Sequence, residues 1–540
     1  MMILQGNSYQ EMYDNFKWEI PEHYNMANDI CDRHADGPER TALIHECLDG
    51  KTTRYTYQQI RSYANQLANG LVNLGLDRGD VVSILLPQAP ETAISHIACW
   101  KAGLISSPIS ILFGSEAIVY RVDDTQAKVM VTNADNLSKV LEIRDRLPSL
   151  RRILVIDNAT DSSQDYWLFL KNQSTSFENA DTRSDDPAFI TYTSGTTGNP
   201  KGAVHGHRSI LGHMPGFEFL FDAPQYSIDV LWSPADWSWM AGLANILMCG
   251  MYLGLPVVCT DAAKFDPEDT YRLMSDHKVT CALLPPTALK LMRQVKGAAL
   301  RYPLSLRTVV SGAEAVGTEL ADWVKNELNC SLNEGFGQTE CNAVMGHHAC
   351  LMGENLGALG KPLPGHIGAI VDDDGQILEA GKLGNIAFKA PDPVMMLEYL
   401  NQPRATEEKV VDGWLITGDL GVVDEMGCFW YKGRKDDVIT SRGYRIGPCE
   451  IEDTLISHPA VAMAAVVGVP DPEVTELIKA YIVPAQGVQV NDELIAELKQ
   501  TVRSRLAHHE VPQLFEVVAK LPMTPTGKIL RRELREWHPS

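Results

Sequence analysis

Short apolar runs of four to six residues alternate with longer amphipathic stretches through most of this chain. That alternation limits the fold more than any other feature. Runs at 81–86, 128–131, 152–156, 279–284 and 306–310 read as buried strands. The clearest helix spans 56–74, with Ile60, Ala64, Leu67, Ala68, Leu71 and Leu74 on one face. Thr56 and Gln59 predict a capping box at its start, and Gly75 stands where it should end. Strands alternating with helices stack as α/β layers around largely parallel sheets. A chain of 540 residues exceeds what one core supports and should divide. The expected division is a large N-terminal domain of layered α/β subdomains, residues 1–435, closed by an antiparallel ribbon at Phe429-Trp430-Tyr431. A small α+β domain follows, residues 436–540, with helices at 449–456 and 492–507 and strands at 461–467, 479–483 and 514–518. Its size suits motion as a unit.

Bulk properties exclude several classes. A net charge of −22 opposes binding to nucleic acid or to anionic membranes. No apolar run reaches the roughly 18 residues of a membrane span. The segment from Met1 to Ile20 lacks a signal-peptide core. Eleven cysteines, an odd number without any CxxC pair, fit a reduced interior and a cytoplasmic location rather than a disulfide framework or a zinc site.

One segment carries chemistry by itself. Residues 191–202, Thr-Tyr-Thr-Ser-Gly-Thr-Thr-Gly-Asn-Pro-Lys-Gly, follow the apolar Ala188-Phe189-Ile190. Glycines allow backbone N–H groups to approach an anion, hydroxyls add donors, and Lys201 adds a compact positive charge. The spacing does not fit a Walker A loop, which needs Gly-Lys-Ser/Thr after four intervening residues. The segment resembles the phosphate loop of the adenylate-forming superfamily, which includes acyl-CoA synthetases, peptide-synthetase adenylation domains and beetle luciferases. Companion motifs follow in that family's order as far as residue 532.

The resemblance assigns roles by position. Thr193, Ser194, Gly195, Thr196, Thr197, Gly198 and Lys201 would hold ATP phosphates. Gly312, Ala313 and Glu314, after a strand, would lie beside adenine and the acyl pocket. In Asn333-Glu334-Gly335-Phe336-Gly337-Gln338-Thr339-Glu340, Glu334 and Gly335 would meet the adenine edge, and Phe336 would offer adenine a flat face. Gln338 belongs to the same ATP-binding run, and the Thr339 hydroxyl would lie near the α-phosphate. Glu340 is a hard oxygen ligand suited to Mg²⁺. Asp419, in Thr417-Gly418-Asp419, would accept bonds from both ribose hydroxyls, and Arg434 would meet ribose and phosphates. Lys432 and Lys435 have a surface alternative, which Lys435 fits best. Asp436 matches the hinge, Gly443, Tyr444 and Arg445 match the thiol tunnel, and Lys528 matches the catalytic lysine of adenylation. Arg442 has no assigned role.

The implied activity is that of an acid–thiol ligase using ATP, Mg²⁺ and CoA: an AMP-forming acyl-CoA synthetase of the acetyl/medium-chain branch. A stand-alone adenylation enzyme serving a carrier protein would share the ATP residues; no carrier or condensation domain follows in this sequence. The stretch Trp232–Gly242 resembles an acyl-pocket wall, which would include Trp237, Trp239, Met240 and Ala241 with Gly312 and Gly337. Dedicated acetate enzymes carry a Trp at the position of Gly337, so the glycine implies a pocket for medium-chain, branched or aromatic acids. Short substituted acids stay open as an alternative, as do core packing of Trp237 and Trp239 and a homo-oligomeric state.

Overall fold

The computed structural model describes residues 3–193, 200–262, 264–312, 316–353, 357–441, 444–471, 474–485, 487–506, 508–523 and 529–536. Its four sheets account for the sequence alternation. The first has nine strands, in the order Lys361–Pro362, Asn342–His347, Ser331–Gln338, Thr308–Gly312, Cys281–Leu283, Leu231–Trp232, Val257–Thr260, Thr41–Glu46, Thr52–Thr56. The second has eight, from Glu398–Tyr399 through Gly202–Gly206, Pro187–Tyr192, Ile105–Pro108, Val81–Leu85, Val129–Thr132 and Arg152–Val155 to Gln164–Asp165. Their central neighbours are parallel, and Val81–Leu85, Ile105–Pro108, Val129–Thr132 and Cys281–Leu283 are buried throughout, as strands covered on both faces must be.

The 56–74 reading is realised in the helix Tyr57–Asn73. Thr56 accepts from the Gln59 N–H, and the Gln59 side chain reaches back to the Thr56 N–H. Ile60, Ala64, Leu67, Ala68 and Leu71 are buried, while Leu74 packs at the margin of the same core. That helix lies against Pro90–Ala102, itself buried at every position.

The third sheet is antiparallel. Gly368–Val371, Gly384–Lys389, Trp414–Val423 and Val410–Val411 run in that order, and Phe429–Arg434 folds back on Trp414–Val423. The fourth is built wholly from later residues: Tyr444–Ile446, Ile439–Ser441, Thr475–Pro484 and Val461–Asp471, with Leu514–Val517 beside Thr475–Pro484. The helices Pro448–Ile456 and Asp492–Arg505 pack on it around Ile451, Leu455, Leu498 and Val502. Val461–Asp471 and Thr475–Pro484 run longer than the sequence predicts, because their mutual pairing carries them past their apolar centres, while Leu514–Val517 stops one residue short. Among the described residues no helix is long and apolar enough to cross a membrane.

Candidate active site

The nucleotide end begins with a register. Asp419 and Arg434 are cross-strand partners in the third sheet. Gly418 adopts φ +83°, a left-handed value that favours glycine, and bends the strand just before Asp419. The Asp419 N–H donates to Thr417 Oγ1 at 3.1 Å, and that hydroxyl donates to the Ile386 carbonyl at 2.7 Å. Asp419 is buried, and its Oδ1 lies 3.5 Å from Arg434 Nη1. Burial works against the Arg434 charge. Asp419, Tyr431, Asp436 and Asp437 outweigh it and hold the guanidinium above its ordinary range.

Glu340 sits in the turn joining the antiparallel strands Ser331–Gln338 and Asn342–His347. It is buried. The Tyr399 hydroxyl donates to its Oε1, and Lys409 Nζ stands 3.6 Å from the same atom. Burial pushes this carboxyl up, but Lys409, Tyr399, the Glu340 N–H and Arg434 together hold it below its ordinary value. It is therefore an anion at neutral pH. Lys409 also donates to Gln338 Oε1 at 2.7 Å, and Gln338 Nε2 donates to the Thr417 carbonyl at 3.0 Å. A continuous polar chain thus joins Glu340 to the Asp419 strand. Lys201 closes the set, its Nζ 4.9 Å from the centre of the Tyr399 ring. Thr193 and Lys201 pin the base of the phosphate segment: the Thr193 N–H donates to the Lys201 carbonyl at 2.9 Å, and the Lys201 N–H donates to Thr193 Oγ1 at 3.1 Å.

The donor set suits Mg²⁺, since an ionised carboxylate beside the place for phosphate oxygens offers hard ligands. Lys409 already faces that carboxylate. The three-residue group with the closest metal-type donors among the described residues, His45, Cys47 and Asp261, lies at the far side of the first sheet and does not involve Glu340.

Tyr399, Lys409 and Thr417 are partners that the sequence reading missed. Lys409 ends an acidic helix, Pro403–Glu408, and looks like a solvated charge; only the fold turns it inward. His205 was also missed. It is fully buried, stacks on Phe189 at 4.8 Å and lies near Glu340; burial lowers its pKa to about 4, so it is neutral.

The structure places several of the expected site residues. Phe336 is half-buried and packs on Phe388, ring centres 6.4 Å apart, against the core under the third sheet. Trp237 and Met240 belong to the main hydrophobic core, whereas Trp239 and Ala241 keep accessible surface. Trp239 meets Phe113 edge-on at 6.0 Å. Gly337 requires a correction. A Cβ there would fall on the backbone carbonyl of Asn342, and one on Gly312 would fall on the carbonyl of Gly335. Both glycines are imposed by close backbone approach. The missing side chain at Gly337 is therefore not space left for an acyl chain. Glu334 and Gly335 lie in the strand at the register of Ser311 and Gly312.

Around Asp436, the expected hinge, Lys435–Asp437 form a short 3₁₀ turn. Arg535 donates to the Asp436 carbonyl at 2.9 Å and to Asp437 Oδ1 at 2.9 Å, and Arg531 donates to Glu452 at 2.7 Å. Lys435 is exposed, as its surface reading expects, and pairs there with exposed Asp373 at 2.6 Å. Tyr444 and Arg445 lie in the strand Tyr444–Ile446. Ser194, Gly195, Thr196, Thr197, Gly198, Ala313, Glu314, Gly443 and Lys528 lie outside the described residues.

Comparisons agree with this geometry. Residues 31–400 match the family described as AMP-binding enzyme, and residues 450–528 match the AMP-binding enzyme C-terminal domain. The chain is 32% identical to the acetyl-coenzyme A synthetase of Bacillus subtilis, covering 98% of this chain and 95% of that protein. It is 33% identical to the mitochondrial acyl-coenzyme A synthetase ACSM4 of Mus musculus, covering 96% and 91%. Among solved structures, the anthranilate CoA ligase AuaEII superposes with a TM-score of 0.87 at 28% identity, covering 96% of this chain and 98% of that one. The acyl-CoA synthetase of Brucella canis gives 0.77 at 30% identity and 98% coverage of each.

Proposed function

Because this chain belongs to the AMP-binding enzyme family and is an AMP-forming acyl-CoA synthetase, we propose that it activates a carboxylic acid larger than acetate. Medium-chain, branched and aromatic acids are the classes that fit. The observation carrying the site assignment is the polar chain from Glu340 through Lys409, Gln338 and Thr417 to Asp419 and Arg434. It fixes the carboxylate meant for phosphate and the carboxylate meant for ribose in one frame.

The carboxylate of the acid attacks the α-phosphorus of ATP, forming acyl-AMP as the bond to pyrophosphate breaks. The CoA thiolate then attacks the acyl carbon, and AMP leaves. The acid is already an anion, so the first step needs positioning rather than a base. On the family pattern, Lys201, Thr193 and Thr339 would offer donors to the developing phosphate charge, and Lys528 would supply a further cation. Glu340 would hold Mg²⁺, which neutralises phosphate charge when bound. Asp419 takes the ribose hydroxyls, turning from Arg434 toward them.

Between the steps the small domain rotates at Asp436, withdrawing Lys528 and bringing in Gly443. The Arg535 contact to the Asp436 carbonyl supports residues from Asp436 onward moving together. The Lys435–Asp373 pair supports Lys435 staying with the large domain.

An acid larger than acetate is supported by the accessible Trp239 and Ala241. AuaEII, named as acting on an aromatic acid, is similar along nearly its whole length. The test supplies ATP, Mg²⁺, CoA and a panel of acids. AMP and pyrophosphate are expected, with kcat/KM rising beyond acetate. ADP and phosphate as products would refute the reaction, and a maximum at acetate would refute the proposed size class.

A further inference from the structure

Beyond Trp239, the helical run from Met240 to Met251 is buried except at Ala241 and Asn245. The segment Leu243–Met248 is π-helical, a geometry frequent at functional sites. Ala241 and Asn245 are therefore the half-buried positions of this run, one turn apart on the same face. Asn245 meets the strand pair that carries Glu340. Its Nδ2 donates to Asn342 Oδ1 at 3.1 Å, and its Oδ1 accepts from Asn342 Nδ2 at 2.9 Å. Asn342 adopts φ +46°, a left-handed conformation that asparagine tolerates, two residues after Glu340.

Asn342 Nδ2 also donates to His213 Nδ1 at 2.9 Å. His213 lies on the helix Ser209–Leu220 and is only 2% exposed. Burial, with His205 and His366 nearby, lowers its pKa well below the ordinary value, so the ring is neutral. With Nδ1 accepting, the proton sits on Nε2, which is buried and has no partner among the described residues. Both Asn342 amide protons are used. One Asn245 amide proton and the His213 Nε2–H stay unassigned. The His213 Nε2–H is the buried one; a buried donor without an acceptor costs roughly 1–3 kcal/mol and so calls for an acceptor, with the half-buried Asn245 Nδ2–H beside the same network. Both free groups are donors, which asks for an oxygen and disfavours an ammonium group.

We propose that Asn245, Asn342 and His213 form the far end of the acyl site and select an acid bearing a hydroxyl, ether or oxo oxygen remote from its carboxylate. This rests on the acyl-CoA synthetase reading and narrows it. A wholly apolar acid leaves the donors unpaired, which is why discrimination arises.

The test compares matched acids of equal length, each with and without an oxygen substituent scanned along straight-chain and phenyl series. AMP release is measured with CoA present. The wild type should favour one oxygen position about 10- to 100-fold in kcat/KM, a range set by one unpaired buried donor. Asn245→Leu and Asn342→Gly should each bring that ratio toward one; glycine keeps the left-handed backbone. Thermal melts report whether each variant folds, and the wild-type ratio decides the proposal without them. Activity on apolar acids with no preference at any position would overturn it, because solvent would then satisfy the donors, while the synthetase reading stands. A preference that survives both substitutions would overturn the assignment to these residues. No AMP release with any acid would overturn the reading and this inference together.

Discussion

The two ends of the cleft differ in how complete they are without substrate. At the nucleotide end, charges meet charges: Asp419 faces Arg434, Glu340 faces Lys409, and Gln338 links the two strands. At the end proposed for the acyl group, the buried His213 Nε2–H has no acceptor among the described residues. The nucleotide end is common to every turnover and can be pre-built. On the proposed reading, the acyl end would take its last partners from the acid, and selectivity would arise there.

The largest effect should come from the family's catalytic lysine. Lys528→Ala should lower adenylation by ~10²–10³, the loss of one transition-state contact, and spare thioester formation from added acyl-AMP. Gly443→Leu should show the opposite pattern. Equal damage to both steps in both variants would remove the separate nucleotide and thiol roles.

Next in size is Gly337→Trp. With its Cβ directed onto the Asn342 carbonyl, the indole must displace backbone at a cost up to about 3 kcal/mol. The melting temperature should fall by several degrees, and kcat/KM should drop for every acid length. A clean switch to acetate would instead mean that this hairpin yields and that position 337 does border the acyl pocket.

Asp419→Asn keeps the shape but removes the charge paired with Arg434. A charge-assisted bond of about 1.5–3 kcal/mol predicts an ATP KM raised roughly 10- to 100-fold. The oxygen preference among acids should not move. If it did, the two ends would be coupled rather than independent.

Acid provides the mildest contrast. His205 titrates near 4 and His213 well below its ordinary value, both chiefly through burial. The folded state thus holds fewer protons than the unfolded state once pH falls below about 6.5, so stability present above that value declines as pH drops toward 4. Each histidine costs about 1 kcal/mol at one unit below 6.5. Glu340 is displaced in the same direction but titrates lower: its contribution is intact above the usual carboxylate range and is lost as pH falls from there through its lowered folded pKa. Melting curves at pH 7.5 and 5.5 should therefore show early acid loss, reduced in His213→Leu. An unchanged pH response in that variant would remove His213 from the account.

Much of this molecule is legible in its residues because local rules act over short distances. The 56–74 helix needs only its apolar period and the Thr56–Gln59 cap, and the buried strands need only short apolar runs between helices. The phosphate segment, the Thr-Gly-Asp run and the Glu340 motif can be read because their chemistry lies in adjacent residues. Lys409, Tyr399, His213 and Asn245 could not be found that way. Their partners lie 59 to 129 positions away in the chain, as Tyr399–Glu340 and His213–Asn342 show. Position 337 teaches the same lesson in reverse. The sequence shows a glycine where relatives place bulk, but only strand pairing shows that backbone, rather than substrate, occupies the space beside it. The sequence by itself determined the layered α/β class and the adenylate-forming chemistry, because periodicity and contiguous motifs are local. Tertiary structure alone decided which carboxylates are paired and which buried donors stay unpaired, because burial and pairing depend on segments that only the fold brings together.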